Sequence, residues 1–183
     1  MTSMEKIGDF LDLLSRVKFD RTAFLEEQKT PFLVTVEVMD DVLPGGMTPE
    51  GAAAPTVAQD PAKLRRASMA AREAGVYSIV KREGANKEKE ILVGRSRDND
   101  VWINDPEVSK HHVKLHAVKG AWQVVDLGST NGTFVNDKKI EKNKATPLNS
   151  YDAVRLGRAA KMQFLDPESF FEYLSVLRRF VGM

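Results

Sequence analysis

The sequence predicts a mainly β protein in which short strands form a sandwich. From Val76 onward, apolar and polar residues alternate in short segments, a period of two that is typical of half-buried strands. Turn residues separate these segments every few positions, and Asn131-Gly132 and Asn136-Asp137 are dipeptides of tight turns. Short strands at close spacing, with a turn signal after each, indicate an all-β sandwich.

Nine segments of this region are predicted strands. Their bounds are Val76–Arg82, Glu90–Arg95, Val101–Ile103, His112–Val118, Trp122–Asp126, Thr133–Val135, Lys139–Ile140, Ala153–Leu156 and Lys161–Leu165. Three aromatic residues, Trp102, Trp122 and Phe134, follow the apolar alternation, so core packing is their expected role. Stacking on nucleic acid would require these rings to be exposed beside basic residues.

The region before the sandwich is predicted to form an N-terminal appendage of residues 1–39. Residues 4–17 place apolar side chains at helical spacing, and a shorter helix is predicted from Asp20, as N-cap, to Gln28. A strand follows with one apolar face, formed by Phe32, Val34, Val36 and Val38. A segment of about forty residues cannot bury enough surface to fold alone. We therefore expect it to dock within the chain, with its strand at a sheet edge, or else to pair with a second copy or a partner.

The remaining segments connect and close the fold. Residues 40–60 are rich in glycine, alanine and proline and predict a flexible linker, in which Thr48 and Thr56 could be phosphorylated. Residues 61–75 predict a short basic helix that begins at Pro61. The sandwich is expected to span residues 76–166. A C-terminal helix is predicted over residues 167–183, with an apolar stripe of Phe170, Leu174, Leu177 and Val181.

Composition narrows the possible functions. Residues 76–166 hold 16 Lys and Arg against 12 Asp and Glu, whereas residues 1–60 hold 5 against 11. A mildly positive module suits an acidic ligand but is too weakly basic to indicate nucleic-acid binding. No apolar run is long enough to cross a membrane, and no signal peptide is recognisable, so a cytoplasmic protein is expected. The absence of cysteine excludes disulfides.

Three separated stretches carry hydrogen-bond donors at predicted strand ends. They are Gly94-Arg95-Ser96, Ser109-Lys110-His111-His112, and the run Asp126-Leu127-Gly128-Ser129-Thr130-Asn131-Gly132-Thr133-Phe134-Val135-Asn136. Brought together at the tips of strands, a guanidinium group, hydroxyl groups and backbone N–H groups would surround a compact anion. Phosphate is such an anion, and the stretches therefore predict a phosphate site.

In their order and spacing, these stretches resemble the forkhead-associated (FHA) domain, a module that binds phosphothreonine peptides. The resemblance covers about Val76 to Asp166 and implies an FHA-like β-sandwich of about ten to eleven short strands with flanking N- and C-terminal helices. It implies that phosphothreonine is bound by Arg95, Ser109, Lys110 and Thr130, and the peptide backbone by Asn131. Gly94, His112 and Gly132 would support the loops, and Ser129 and Arg97 could add polar contacts.

Each of these residues also has an ordinary structural explanation. Arg95 could form a surface salt bridge with Asp98 or Asp100, Ser109 could be a turn residue or helix cap, and Asn131 could merely close a hairpin turn. The two functions of Asn131 are compatible, because a side-chain amide offers a donor and an acceptor together and can also sit in a turn.

Neither a metal site nor a catalytic site is predicted. The histidines at positions 111, 112 and 116 lack cysteine or carboxylate companions at ligand spacing, so a buried structural His112 beside an exposed His111 is favoured over a metal. Motifs of serine hydrolases, P-loop enzymes and zinc proteases are missing from the sequence. No cofactor is expected, and binding without turnover is the coherent interpretation.

The sequence thus predicts a module that recruits a threonine-phosphorylated protein, the product of a Ser/Thr kinase. Neither nucleic acid nor a membrane is an expected partner, and a homo-oligomer is possible. The alternative is a constitutive scaffold or assembly subunit, in which the appendages mediate oligomerisation and the phosphate pocket is secondary.

Overall fold

The computed structural model describes residues 20–35, 75–82 and 90–180. The predicted helix of residues 4–17, the linker of residues 40–60, with Thr48 and Thr56, and all of the basic segment except Gly75 lie outside these residues. Within the described part, eleven strands and two helices are present. The strands form two sheets, as expected for an FHA-like sandwich.

The elements are numbered here in chain order. They are α1 (Arg21–Glu27), β1 (Phe32–Thr35), β2 (Val76–Ser78), β3 (Ile91–Gly94), β4 (Val101–Trp102), β5 (Val113–Val118), β6 (Ala121–Asp126), β7 (Thr133–Val135), β8 (Lys138–Lys139), β9 (Thr146–Leu148), β10 (Ala153–Leu156), β11 (Ala160–Leu165) and α2 (Pro167–Phe180). The first sheet has the order β2-β1-β11-β10-β7-β8, and the second has the order β4-β3-β5-β6-β9.

Strand β1 is an integral part of the first sheet. It pairs antiparallel with β11 on one side, where Phe32 lies opposite Leu165, and with β2 on the other side, where Phe32 lies opposite Ser78. The sequence led us to expect this strand at a sheet edge, but the edge position is taken by β2. The strand assigned by sequence to an appendage therefore docks within the chain and completes the sandwich.

The hydrophobic core lies between the two sheets. Alternation along each strand directs one face of each sheet inward, and the buried residues include Leu33, Ile91, Val93, Leu115, Val124, Val154, Leu156, Met162 and Phe164. Trp122 packs against this core, as predicted. Trp102 and Phe134 are half-buried instead, each beneath a guanidinium group: Arg97 lies 4.8 Å from the Trp102 ring and Arg155 lies 3.7 Å from the Phe134 ring.

Both helices cover the outer face of the first sheet at its β1 end. Asp20 accepts a hydrogen bond from Ala23 N at 3.0 Å and caps α1, and Asp166 accepts one from Ser169 N at 2.8 Å at the start of α2. Phe170 of α2 stacks on Phe32 of β1 with ring centroids 4.0 Å apart. The apolar faces of β1 and α2 thus bury each other within one chain.

The predicted strands agree with the structure best where apolar alternation is unbroken. β7 and β10 have their predicted bounds, and the other predicted strands differ at their ends. β9 was not predicted, because Pro147 cannot donate to a ladder and its segment has no apolar alternation. The structure places β9 at the edge of the second sheet, where a proline is tolerated.

Candidate functional site

Three connections approach one another beside the Gly94 end of β3. We call them the β3–β4 loop (residues 95–100), the β4–β5 loop (residues 103–112) and the β6–β7 loop (residues 127–132). β3 and β5 are neighbours in the second sheet, with Val93 opposite Val113, and β6 pairs with β5 so that Asp126 also lies opposite Val113. This register brings the strand end before Arg95, the start of β5 and the end of β6 to one end of the sheet.

The β3–β4 and β4–β5 loops are joined by backbone hydrogen bonds at Arg95. Arg95 N donates to Ser109 O at 2.9 Å, and Ser96 N donates to Lys110 O at 3.0 Å. The chains are so close that a Cβ at Gly94 would lie 2.3 Å from Lys110 O. Because the obstructing atom is backbone, only glycine permits this approach. A side chain at position 94 would therefore push the two loops apart.

A buried asparagine strengthens the same junction. The side chain of Asn99 donates to Ser96 O at 2.7 Å and to Lys110 O at 2.6 Å, and Asn99 is fully buried. Its Oδ1 lies 2.9 Å from Nδ1 of His111. Sequence reasoning missed Asn99, because two of its partners, Lys110 and His111, lie in another loop and an asparagine in a loop usually indicates only a turn.

The side chain of Arg95 is exposed and is oriented by the neighbouring loop. Its Nε donates to Val108 O at 3.2 Å, while its own carbonyl accepts the indole N–H of Trp102 at 3.0 Å. Among the described residues, no carboxylate forms an ion pair with Arg95. The two carboxylates that could have formed a salt bridge with Arg95 have other environments. Asp98 Oδ2 lies 3.6 Å from Nε2 of His111, and Asp100 is buried. The two terminal nitrogens of Arg95 therefore face the solvent, where they can meet an anion.

Asp100 has a structural role that the sequence did not reveal. Its carboxylate accepts hydrogen bonds from Lys81 Nζ at 2.8 Å, Arg82 N at 2.9 Å and Leu92 N at 2.8 Å. These three donors compensate the cost of burying its charge. They also attach residues 81–82 to the β3–β4 loop and thereby fix the base of that loop.

Ser109 and Thr130 connect the β4–β5 loop to the β6–β7 loop. Thr130 N donates to Ser109 Oγ at 3.0 Å. Since that oxygen accepts from the backbone, the hydroxyl hydrogen of Ser109 stays free to donate to a ligand. Lys110 and Thr130 are exposed, and Ser109 is half-buried. All four predicted phosphate ligands thus lie on loops that hydrogen-bond directly to one another.

His112 is fully buried and braces both loops. Its Nδ1 accepts from Ser109 N at 2.9 Å, so the proton must be on Nε2, which donates to Gly132 O at 3.2 Å. Burial lowers the pKa of His112 below its ordinary value, and this effect exceeds the opposing influence of Gly132 O and the charge of Asp126. The ring is therefore neutral near pH 7, as a bracing group requires.

Asp126 organises the turn that precedes Thr130. Its carboxylate accepts from Gly128 N and Ser129 N at 2.8 Å and from the hydroxyls of Ser129 and Thr133 at 2.6 Å. Burial alone would raise the pKa of Asp126, but these hydrogen bonds lower it below its ordinary value. The suggested polar contact of Ser129 with a ligand is wrong, because Ser129 is buried and its hydroxyl donates to Asp126.

Asn131 contacts a residue that the sequence did not single out. Its Nδ2 donates to Glu107 O at 3.1 Å and to Glu107 Oε2 at 3.0 Å. Gly132 follows with φ +86°, a left-handed conformation that suits glycine. Gly132 O accepts from Gly157 N at 2.9 Å, so the turn between β10 and β11 supports the same loop.

The arrangement suits binding of a compact anion. Arg95, Ser109, Lys110 and Thr130 offer guanidinium, hydroxyl, ammonium and hydroxyl donors on three hydrogen-bonded loops. In the part of the chain that the structure describes, no group of three or more acidic or histidine residues could hold a metal ion, and no helix is long and apolar enough to cross a membrane.

Comparison with known proteins relates part of the chain to one domain family. Residues 91–157 match the family model of the FHA domain. This part of the chain, which spans β3 to β10, is therefore similar to the FHA domain family.

The relatives match about half of this chain. The oxoglutarate dehydrogenase inhibitor of Corynebacterium diphtheriae is 33% identical over 46% of this chain and 62% of its own length. The glycogen accumulation regulator GarA of Mycolicibacterium smegmatis is 30% identical over 52% of this chain and 63% of its own length. A solved structure from an analysis of phosphothreonine-dependent FHA domain interactions is 26% identical over 49% of this chain and 82% of that chain, with a TM-score of 0.40. The chain spans less than two thirds of the length of these two relatives.

Proposed function

We propose that this chain binds a partner protein through a phosphorylated threonine and releases it unchanged. The observation that carries the proposal is the convergence of Arg95, Ser109 and Thr130 on three loops joined by backbone hydrogen bonds. The match of residues 91–157 to the FHA domain model supports it. A module of this kind acts after a Ser/Thr kinase has modified the partner, and we propose the cytosol as its setting.

Each donor group can contact a different part of the phosphate. The two terminal nitrogens of Arg95 can form a bidentate pair with two phosphate oxygens, since Nε is already held by Val108 O. The Ser109 hydroxyl and the exposed Thr130 side chain can donate to the remaining oxygen, while Lys110 adds a mobile positive charge. The neutral His112 adds no charge of its own, so its contribution is to keep the loops in place.

Binding without catalysis is the activity that the site chemistry favours. Ser109 and His112 are residue types of a nucleophile and a base, but His112 Nδ1 accepts from the backbone N–H of Ser109 and not from its hydroxyl. The other ring nitrogen is directed to Gly132 O. The imidazole cannot take the hydroxyl proton in this arrangement, which is what nucleophilic catalysis would require.

The division of the chain follows from this proposal. Residues 76–166 would form the binding module, completed by β1 from the segment before the linker. The alternative function as an assembly subunit has less support, because the aromatic faces of β1, α1 and α2 already pack on one another through Phe32, Phe24 and Phe170. Preference for threonine over serine would come from contact with the threonine methyl group.

An oriented phosphothreonine peptide library, followed by calorimetry, tests the proposal. The best peptide of the library is titrated in phosphothreonine, phosphoserine and unphosphorylated forms. We expect binding of the phosphothreonine form, weaker binding of the phosphoserine form and no measurable binding of the unphosphorylated peptide. Equal affinity for the phosphorylated and unphosphorylated forms would refute the proposed function.

A further inference from the structure

The side chain of Asn131 has one possible orientation in this structure. Its Nδ2 lies 3.1 Å from Glu107 O and 3.0 Å from Glu107 Oε2, and both of these oxygens can only accept hydrogen bonds. Turning the amide over would set Oδ1 against two acceptors, which is repulsive. The hydrogen-bond network therefore assigns the nitrogen to Glu107 and the oxygen to the opposite side.

Glu107 is itself held in place from several directions. Its backbone N–H donates to Asp105 Oδ1 at 2.7 Å, and its Oε2 lies 3.8 Å from Nε of the exposed Arg158. The β10–β11 turn closely approaches its backbone, since a Cβ at Gly157 would lie 2.5 Å from Glu107 O. A residue held within its own loop and next to the β10–β11 turn is suited to fix the β6–β7 loop, which carries Asn131.

We propose that Glu107 is a positioning residue that occupies both hydrogens of the Asn131 amide, so that Asn131 binds a peptide only as an acceptor, through Oδ1. The ligand group is then a backbone N–H of the phosphothreonine peptide and not a carbonyl. Within the described residues, Oδ1 of Asn131 makes no hydrogen bond. This inference rests on the proposed function and specifies which half of the peptide bond the site recognises.

Ester substitution in the peptide tests this directly. In the phosphothreonine peptide chosen above, each backbone N–H within three residues of the phosphothreonine is replaced in turn by an ester oxygen. One ester should weaken binding to the parent protein by about three- to tenfold, the value of one hydrogen bond. In Asn131→Ala, the same ester should cause no further loss of affinity, because the acceptor Oδ1 has been removed.

Variants of Glu107 separate positioning from general stability. Glu107→Ala leaves Nδ2 of Asn131 without its carboxylate partner. Because the amide can then turn over, the ester should reduce peptide affinity less in this variant than in the parent. Glu107→Gln keeps an oxygen acceptor at this position and should restore the full loss of affinity caused by the ester. Glu27→Ala, which removes an exposed glutamate of α1, is the matched control and should behave as the parent does. Thermal unfolding of each variant shows whether its fold is intact.

A second measurement covers the case in which Glu107→Ala does not fold. The side-chain amide hydrogens of Asn131 are followed by NMR in the parent protein during peptide titration, and they should stay bonded to Glu107 and shift little. Large shifts of both hydrogens, or an ester effect of the same size in Glu107→Ala as in the parent, would overturn the inference. Loss of phosphate dependence in the parent would refute the proposed function instead.

Discussion

The hydroxyl oxygen of Ser109 accepts a hydrogen bond from the backbone N–H of Thr130, at a distance of 3.0 Å. These residues lie on different loops, and their contact joins the loop that carries the serine to the turn that carries Asn131. Because the oxygen is used as an acceptor, its hydrogen points away from Thr130 and can be donated to a phosphate oxygen. One hydroxyl group thus joins two loops and keeps a hydrogen for the proposed ligand.

Replacing Ser109 by alanine should reduce binding more than stability. The Thr130 N–H that loses its partner is exposed and can bond to water, so we expect the free energy of unfolding to fall by about 1 kcal/mol or less. A hydrogen bond to a charged phosphate contributes more, and binding should weaken by about 1.5–3 kcal/mol. Urea denaturation and calorimetry on the same variant measure the two quantities, and a loss of stability larger than the loss of binding would contradict this division.

Arg95→Ala should weaken phosphothreonine binding by about 2–5 kcal/mol, the range for removing one partner of a desolvated charge pair. Arg95→Lys should also weaken it, because a point charge cannot replace the two-pronged guanidinium. Lys144→Ala, which removes an exposed cation elsewhere on the surface, is the control and should leave affinity unchanged. If Arg95→Lys bound as tightly as the parent, charge alone would explain recognition, and the assigned bidentate geometry would be wrong.

His112→Ala should lower the free energy of unfolding by about 2–4 kcal/mol, since it leaves Ser109 N and Gly132 O without their buried partner. His111→Ala should cost no more than about 1 kcal/mol, because that side chain is exposed and, among the described residues, its one close hydrogen bond is with Asn99. Thermal unfolding distinguishes them, and equal melting temperatures for His112→Ala and the parent would exclude the bracing role.

The lowered pKa of His112 also predicts a pH dependence of stability. The unfolded chain binds a proton near the ordinary value of 6.5, whereas the folded chain binds it only at lower pH. The unfolded state is then favoured by protonation, so stability falls as the pH drops below about 6.5. Between pH 7.5 and 5.5, urea denaturation should show a larger decrease in the free energy of unfolding for the parent than for His112→Ala. An equal decrease in both proteins would contradict the assignment of this pH dependence to His112.

Asp126→Asn should lower the free energy of unfolding by about 1.5–3 kcal/mol, because a neutral amide replaces a buried carboxylate that accepts four hydrogen bonds. Since the pKa of Asp126 is lowered, its stabilising effect is present above the ordinary value of 3.8 and is lost as the pH falls below it. The exposed Asp137→Asn is the control. A stable Asp126→Asn variant with unchanged peptide affinity would show that the turn does not depend on this carboxylate.

Much of the fold could be predicted because alternation and turn residues are local signals. The bounds of β7 and β10, the Asp20 cap and the C-terminal helix follow from residues that are neighbours in sequence. The position of β1 could not be predicted in the same way. An apolar face shows that a strand is buried, but its insertion between β2 and β11 depends on pairing with residues more than forty and more than one hundred positions away.

The site shows the same limit. Arg95, Ser109 and Asn131 could be selected because their types and spacing resemble a known family. Glu107, Asn99 and Asp100 could not, since each acts through partners in other segments of the chain and its residue type is common on surfaces. For Ser129 the error is a residue selected by sequence that does not face a ligand. Its hydroxyl is next to Thr130 in sequence but donates inward to Asp126.

NMR titration of the isotope-labelled parent with the phosphothreonine peptide tests the central claim most directly. If the three loops form the binding site, the largest shift changes should fall on the backbone amides of Arg95, Lys110 and Thr130, and the unphosphorylated peptide should cause none at the same concentration. Changes concentrated on α1 and α2, or equal changes with both peptides, would contradict the assignment of these loops as a phosphothreonine site.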